Sequence, residues 1–137
     1  MKSIQRWSIL GLILMLTQGS FSQVYKFKAS GFSIIEKNEA GKWGEWSEFE
    51  NSALIITLDG KKDRVVVASQ EIQLYKILSY GQKISTAFDD TIPLNCTDNA
   101  GGSCTILIVT RKNQNNRKQF YINYEDVKIV YNVYEYL

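Results

Sequence analysis

From residue 23 onward, apolar side chains alternate with polar ones over short runs that are rich in β-branched and aromatic residues. A period of two places the apolar side chains on one face of a strand. No segment keeps the apolar i, i+3, i+4 spacing, with capping residues, that predicts a helix. The runs predicted as strands are 25–29, 32–35, 54–58, 64–68, 72–80, 105–109, 120–124 and 127–134.

Turn-forming residues separate several of these runs. Asp59-Gly60 follows one run and predicts a hairpin, because glycine adopts positive φ without steric cost. Residues 113–116 (NQNN) predict a second turn. The run 105–109 is apolar on both faces, which is typical of a central strand. About eight strands without a linker or repeat predict one all-β domain with little helix over residues 23–137.

Two architectures fit this pattern. A closed antiparallel barrel leaves no exposed strand edges, whereas a two-layer sandwich buries the same faces and must cover its edges. The connections are short and meandering, which favours a small antiparallel β-barrel of about eight strands; the β-sandwich is the alternative.

Residues 1–22 have the layout of a signal peptide. Lys2 and Arg6 precede an apolar run over 7–16, and small residues at 19–22 favour cleavage after Ser22. The apolar run is roughly half the length of about 20 residues that a membrane-spanning helix needs. We therefore expect a secreted or periplasmic protein that is not stably inserted in a membrane after cleavage.

The charge balance changes when that segment is set aside. The chain has 16 basic and 14 acidic residues, and the two basic residues of segment 1–22 are the whole excess. The remaining chain has no net charge, so it lacks the basic footprint of a nucleic-acid-binding protein. The predicted partner is a small molecule, a glycan or a protein.

The two cysteines predict a structural disulfide. Cys96 and Cys104 enclose seven turn-forming residues, and an even number of cysteines in an exported chain is typical of oxidised pairs. The spacing differs from the C-x-x-C of redox-active pairs. With no histidine and two cysteines, we predict neither a metal site nor a cofactor.

The most distinctive segment is rich in tryptophan. Trp43, Trp46 and Phe49 lie close together in sequence, and Tyr134 and Tyr136 lie near the C-terminus. Because tryptophan and tyrosine are enriched at binding hot spots, these five residues are the predicted ligand- or partner-binding residues. The alternative is that the tryptophans close one end of the core.

The tripeptide Gly41-Lys42-Trp43 is similar to the Gly-x-Trp signature of lipocalins. In that family the tryptophan opens the first strand and plugs the closed end of an eight-stranded barrel. Two predicted strands precede Trp43 in this chain, and the similarity covers three residues. It adds to the barrel expectation only.

Catalysis has few candidate residues. The absence of histidine excludes Ser-His-Asp and Cys-His mechanisms. Glu45 and Glu48, beside the tryptophans, are the best pair of carboxylates for a hydrolase. The sequence therefore predicts a secreted, non-catalytic binding module, without catalytic residues. Its predicted ligand is a small apolar molecule, a glycan or a protein, and an exported inhibitor is one form that such a module takes. The alternative is a carboxylate-based glycan hydrolase.

Overall fold

The computed structural model describes residues 23–135, which contain nine strands and no helix. The predicted signal peptide and Tyr136 lie outside the described residues. In chain order the strands are β1 (Val24–Glu36), β2 (Glu50–Asp59), β3 (Arg64–Ala68), β4 (Ile72–Tyr80), β5 (Ile84–Ser85), β6 (Asp89–Asp98), β7 (Ser103–Arg111), β8 (Arg117–Asn123) and β9 (Val127–Glu135).

The strands form a closed antiparallel barrel. The order of neighbours is β4-β3-β2-β1-β9-β8-β7-β6, and β4 pairs with β6 to close the ring. The short β5 pairs with β6 and is additional to the eight strands of the barrel. The predicted eight-stranded barrel is confirmed, and the sandwich alternative is wrong because one continuous sheet closes on itself.

The number of barrel strands agrees with the prediction, but two of the strands differ from the predicted runs. Runs 25–29 and 32–35 belong to the single strand β1, whose register shifts between Ala29 and Gly31. Strand β6 was not among the predicted runs, since Pro93 interrupts its pattern. Pro93 lies where β6 changes partner from β5 to β4, and its carbonyl accepts a hydrogen bond from the Gly81 amide at 2.8 Å. The missing proline N–H therefore removes no ladder bond there.

Side chains fill the interior of the barrel. An eight-stranded barrel is just wide enough for inward-facing side chains to meet. The Phe27 and Phe120 rings pack with their centroids 5.0 Å apart. The largest fully buried side chains of the interior come from five of the eight barrel strands: Phe120, Ile56, Leu94, Ile106, Ile122, Val65 and Val67. Ser33 is also fully buried, but on the outer side of β1, where its hydroxyl donates to the Ser47 carbonyl.

The strand connections lie at two ends of the barrel, called the upper end and the lower end below. At the upper end lie the connections β1–β2, β3–β4, β6–β7 and β8–β9. At the lower end, Asp90 accepts a hydrogen bond from Ser85 Oγ at 2.7 Å and pairs with Lys112 Nζ at 2.9 Å and Lys83 Nζ at 3.5 Å. Hydrogen bonding from Lys112 and then from Ser85 lowers the pKa of Asp90 to about 2.

We expect this cluster to make the stability of the protein depend on pH. The pKa of Asp90 is lower in the folded protein than its ordinary value, so its contribution is present above about pH 4 and is lost as the pH falls toward 2. We expect Asp90→Asn to flatten the dependence of urea midpoints on pH in that window. Glu39→Gln, at an exposed carboxylate, is the matched control. Identical curves for Asp90→Asn and the wild type would contradict the expectation.

Candidate functional site

The tryptophan-rich segment, residues 37–49, leaves β1 and folds back along it. Asn38 begins a tight turn in which Gly41 has a φ of 77°, a conformation that favours glycine. The returning chain then bonds to β1: the Gly44 amide donates to the Glu36 carbonyl at 2.9 Å, and the Ser47 amide donates to the Ile34 carbonyl at 2.8 Å. The segment is therefore held on the outside of the barrel by backbone hydrogen bonds.

Trp43 lies beside two lysines on this outer surface. The Nζ atoms of Lys37 and Lys128 are 5.1 Å and 4.5 Å from the centre of its ring, and Trp43 also forms a β-bridge with Lys37. The indole is 37% exposed. Unlike the tryptophan of the lipocalin signature, it follows the first strand and does not plug the barrel.

Trp46 lies against β8 on the same outer surface. Its ring meets the Tyr121 ring edge-on, with centroids 6.2 Å apart, yet it remains 43% exposed. Val130, the ladder partner of Tyr121, is buried although it faces outward. Phe49 lies close to Gly31 of β1 and is also exposed. Trp43, Trp46 and Phe49 thus share one outer segment with accessible rings.

The sheet below them presents two parallel rows of outward side chains across β6, β7, β8 and β9. The apolar row, named here for its chemistry, leads toward Trp46. Its members are Pro93, Leu107, Tyr121 and Val130. The polar row leads toward Trp43. Its members are Asn95, Thr105, Asn123 and Lys128.

A shallow cavity of about 600 Å³ opens on the polar row, where Asn95, Thr105, Asn123 and the exposed Leu78 contribute to its walls. Asn95 Nδ2 donates to Ser79 Oγ at 2.9 Å, which fixes that amide. Asn123 Oδ1 is buried and has no hydrogen-bond partner among the described residues. Burying an acceptor without a hydrogen-bond partner costs free energy of folding.

The other predicted site residues lie elsewhere. Tyr134 is exposed on β9 near the lower end, beside a cavity of about 400 Å³ with Asn115, Asn116 and Arg117. The structure does not bring it together with the tryptophan-rich segment, and Tyr136 is not described. Glu45 and Glu48, the candidate carboxylates, are both exposed on that segment.

Sequence reasoning missed the polar row. Three of its four members belong to no unusual motif, and Asn95 lies on the unpredicted β6. Alternation within the runs at 120–124 and 127–134 does place Asn123 and Lys128 on the face opposite the core, whereas the run at 105–109 is apolar on both faces and does not orient Thr105. Alternation also does not give the register, which decides whether residues of neighbouring strands lie side by side.

The chain matches no family model, and comparison with curated proteins and solved structures gives no significant match. Within residues 23–135, no helix is long and apolar enough to cross a membrane. The same residues contain no group of three or more cysteine or carboxylate side chains placed to hold a metal ion.

The two cysteines are directly opposite each other on β6 and β7, with their side chains inside the barrel. The structure holds them as thiols. Burial, and then the proximity of Cys104, raises the pKa of the Cys96 thiol to about 12; burial also raises the pKa of Cys104. Both groups are therefore protonated at neutral pH and are poor nucleophiles.

Proposed function

We propose that this protein is a non-catalytic, exported binding module that holds a glycan on the outside of the barrel. The contact surface, called the outer face below, consists of the apolar row, the polar row and the rings of Trp43 and Trp46. The observation that carries the proposal is the adjacency of the two rows, each leading to an exposed indole. The signal-peptide layout of residues 1–22 supports a secreted or periplasmic location.

A pyranose ring matches such a surface chemically. One side of the ring presents C–H groups that pack on apolar and aromatic surface, and its hydroxyls point outward to hydrogen-bond donors and acceptors. On the outer face, Tyr121 and Trp46 supply the aromatic surface, and Asn95, Thr105 and Asn123 supply polar side chains that line the adjoining cavity. Three strand spacings separate Lys128 from Asn95, about 14 Å in all, which suits an oligosaccharide rather than one sugar.

The rigidity of the outer face also favours binding. Trp43 and Trp46 are attached to a segment that is bonded to β1, and Asn95 is fixed by Ser79. A surface that is ordered before binding loses less conformational entropy when the ligand arrives.

The structure gives less support to an apolar ligand inside the barrel. Such a ligand would need the space that Phe120, Ile56 and Leu94 occupy, and all three are fully buried. Displacing well-packed side chains from an interior at native density costs free energy and strains the sheet. The outer surface of the barrel therefore accommodates a ligand better than its packed interior.

The test is a glycan array probed with the mature protein and with two variants, Trp43→Ala and Trp46→Ala. We expect the wild type to bind a defined set of oligosaccharides, and each variant to bind them at least about tenfold more weakly. These are the only tryptophans after residue 22, so intrinsic fluorescence follows the same binding in solution. Tyr134→Ala, at an exposed ring away from the outer face, should bind like the wild type.

Three outcomes would overturn the proposal or its site. An array without any signal would exclude a glycan ligand. Undiminished binding by both tryptophan variants would place the ligand elsewhere. Release of shortened oligosaccharides, abolished by Glu45→Gln and Glu48→Gln, would establish the hydrolase alternative instead.

A further inference from the structure

A second cavity, of about 520 Å³, opens at the upper end of the barrel. The β3–β4 connection and β4 contribute Glu71, Ile72 and Tyr75, the end of β6 contributes Asp98, and the turn after β8 contributes Tyr124. Its volume falls within the range of small-molecule sites, and the mouth of a β-barrel is a common place for them. The upper cavity shares Tyr124 with the cavity on the polar row, and the other lining residues of the two cavities differ.

Asp98 is the fixed group of the upper cavity. Its Oδ1 accepts hydrogen bonds from the Gly102 amide at 2.7 Å and the Ala100 amide at 3.0 Å, and its Oδ2 accepts from the Tyr124 hydroxyl at 2.8 Å. The hydrogen bonds, led by that from Tyr124, lower the pKa of Asp98. The carboxylate is thus ionised and immobilised before any ligand binds.

The hydroxyls of the cavity are held in place as well. The Tyr75 hydroxyl donates to Gln73 Oε1 at 2.8 Å. Burial raises the pKa of Tyr75 to about 12, and burial followed by the bond to Asp98 raises that of Tyr124. Both tyrosines are therefore neutral at physiological pH, so the negative charge of the upper cavity comes from Asp98 and Glu71.

The described residues lining the upper cavity include no lysine or arginine. Two carboxylates without a neutralising base repel anions and attract cations. Ile72 is 67% exposed beside them and offers apolar surface, and Tyr124 adds an aromatic ring. A ligand that satisfies all of these groups carries a positive charge on an apolar body.

We infer that the upper cavity binds a small organic ammonium ion, with its charge near Asp98 and Glu71 and its alkyl groups against Ile72 and Tyr124. A bare metal ion fits less well, because it needs several free oxygen ligands and Asp98 already accepts three hydrogen bonds. An ammonium group surrounded by methyl groups is attracted both by carboxylates and by aromatic faces. This inference does not depend on the proposed glycan site.

Choline is the probe, and neohexyl alcohol, in which a carbon replaces the charged nitrogen, is its neutral isostere. We expect a choline titration to shift the backbone amide NMR signals of residues around 71–75, 98–102 and 124, and neohexyl alcohol to bind at least about tenfold more weakly. Glu71→Gln and Asp98→Asn should each weaken choline binding by about threefold. Glu135→Gln, which removes one negative charge from the end of β9, is the matched control.

Glu71 lies exposed in a connection, so its variant tests the inference even if Asp98→Asn fails to fold. Equal binding of choline and neohexyl alcohol, or no shift at any choline concentration, would overturn the inference. Shifts confined to residues outside the upper cavity would do the same. Choline should leave the fluorescence of Trp43 and Trp46 unchanged, so this result and the glycan result can fail independently.

Discussion

Replacing Phe120 with alanine should destabilise the protein by about 3–5 kcal/mol, the range for truncating a large buried aromatic side chain. Phe120 is 1% exposed and packs against Phe27 at the centre of the barrel. The interior of a closed sheet cannot collapse freely onto the cavity that alanine leaves, because the strands are hydrogen-bonded on both sides. Denaturant unfolding, with the free energy extrapolated to water, measures the loss.

Phe88→Ala is the matched control, since Phe88 is 61% exposed. It should change the free energy of unfolding by no more than about 0.5 kcal/mol. If Phe120→Ala prevents folding, Phe120→Leu keeps most of the volume and should show a smaller loss in the same direction. A cost below about 1 kcal/mol for Phe120→Ala would mean that the interior is not closely packed around this ring.

The barrel itself was predictable because most of its strands show a local alternation of apolar and polar residues. Runs such as 64–68 and 72–80 coincide with β3 and β4, since turns rich in glycine and polar residues bound them. Closure was an inference from edge protection, and the β4–β6 pairing realises it. The local residue pattern was therefore enough to predict the fold class and most of the strands.

The two errors have separate physical causes. Ser30-Gly31 signals a turn by composition, but flanking strands on both sides hold it as an irregularity inside β1. Pro93 argues against a strand unless it lies where a ladder bond is absent, and only the tertiary pairing of β6 reveals that place. In both cases non-local pairing overrides local propensity.

The candidate site was predictable only in part, because some of its residues are distinctive in the sequence and others meet only through strand pairing. Trp43 and Trp46 stand out by composition, and both lie on the surface of the structure with partly exposed rings. Their companions Asn95, Thr105 and Asn123 come from three strands and meet only through the register of β6, β7 and β8. The upper cavity likewise combines three connections, which no single-sequence motif brings together.

The cysteines are geometrically ready to form a bridge. Cys96 and Cys104 are directly opposite each other on the antiparallel strands β6 and β7. Opposed residues of antiparallel strands have Cα atoms about 4.5 Å or about 5.5 Å apart, depending on whether the pair is hydrogen-bonded. Both separations lie within the range that a disulfide spans without backbone movement. We therefore propose that export yields a Cys96–Cys104 disulfide.

Reducing that disulfide should lower the free energy of unfolding by about 2.5 kcal/mol, the chain-entropy value for so short a loop. The barrel should survive, because its core comes from all eight strands. The measurement is denaturant unfolding of exported protein with and without reductant, beside the double variant Cys96→Ala/Cys104→Ala, whose unfolding should not respond to reductant. In the folded, reduced protein, alkylation should be slow at neutral pH and accelerate toward pH 12, because burial raises the pKa of Cys96 to about that value. Two free thiols in exported protein unfolded without reductant would exclude the bridge.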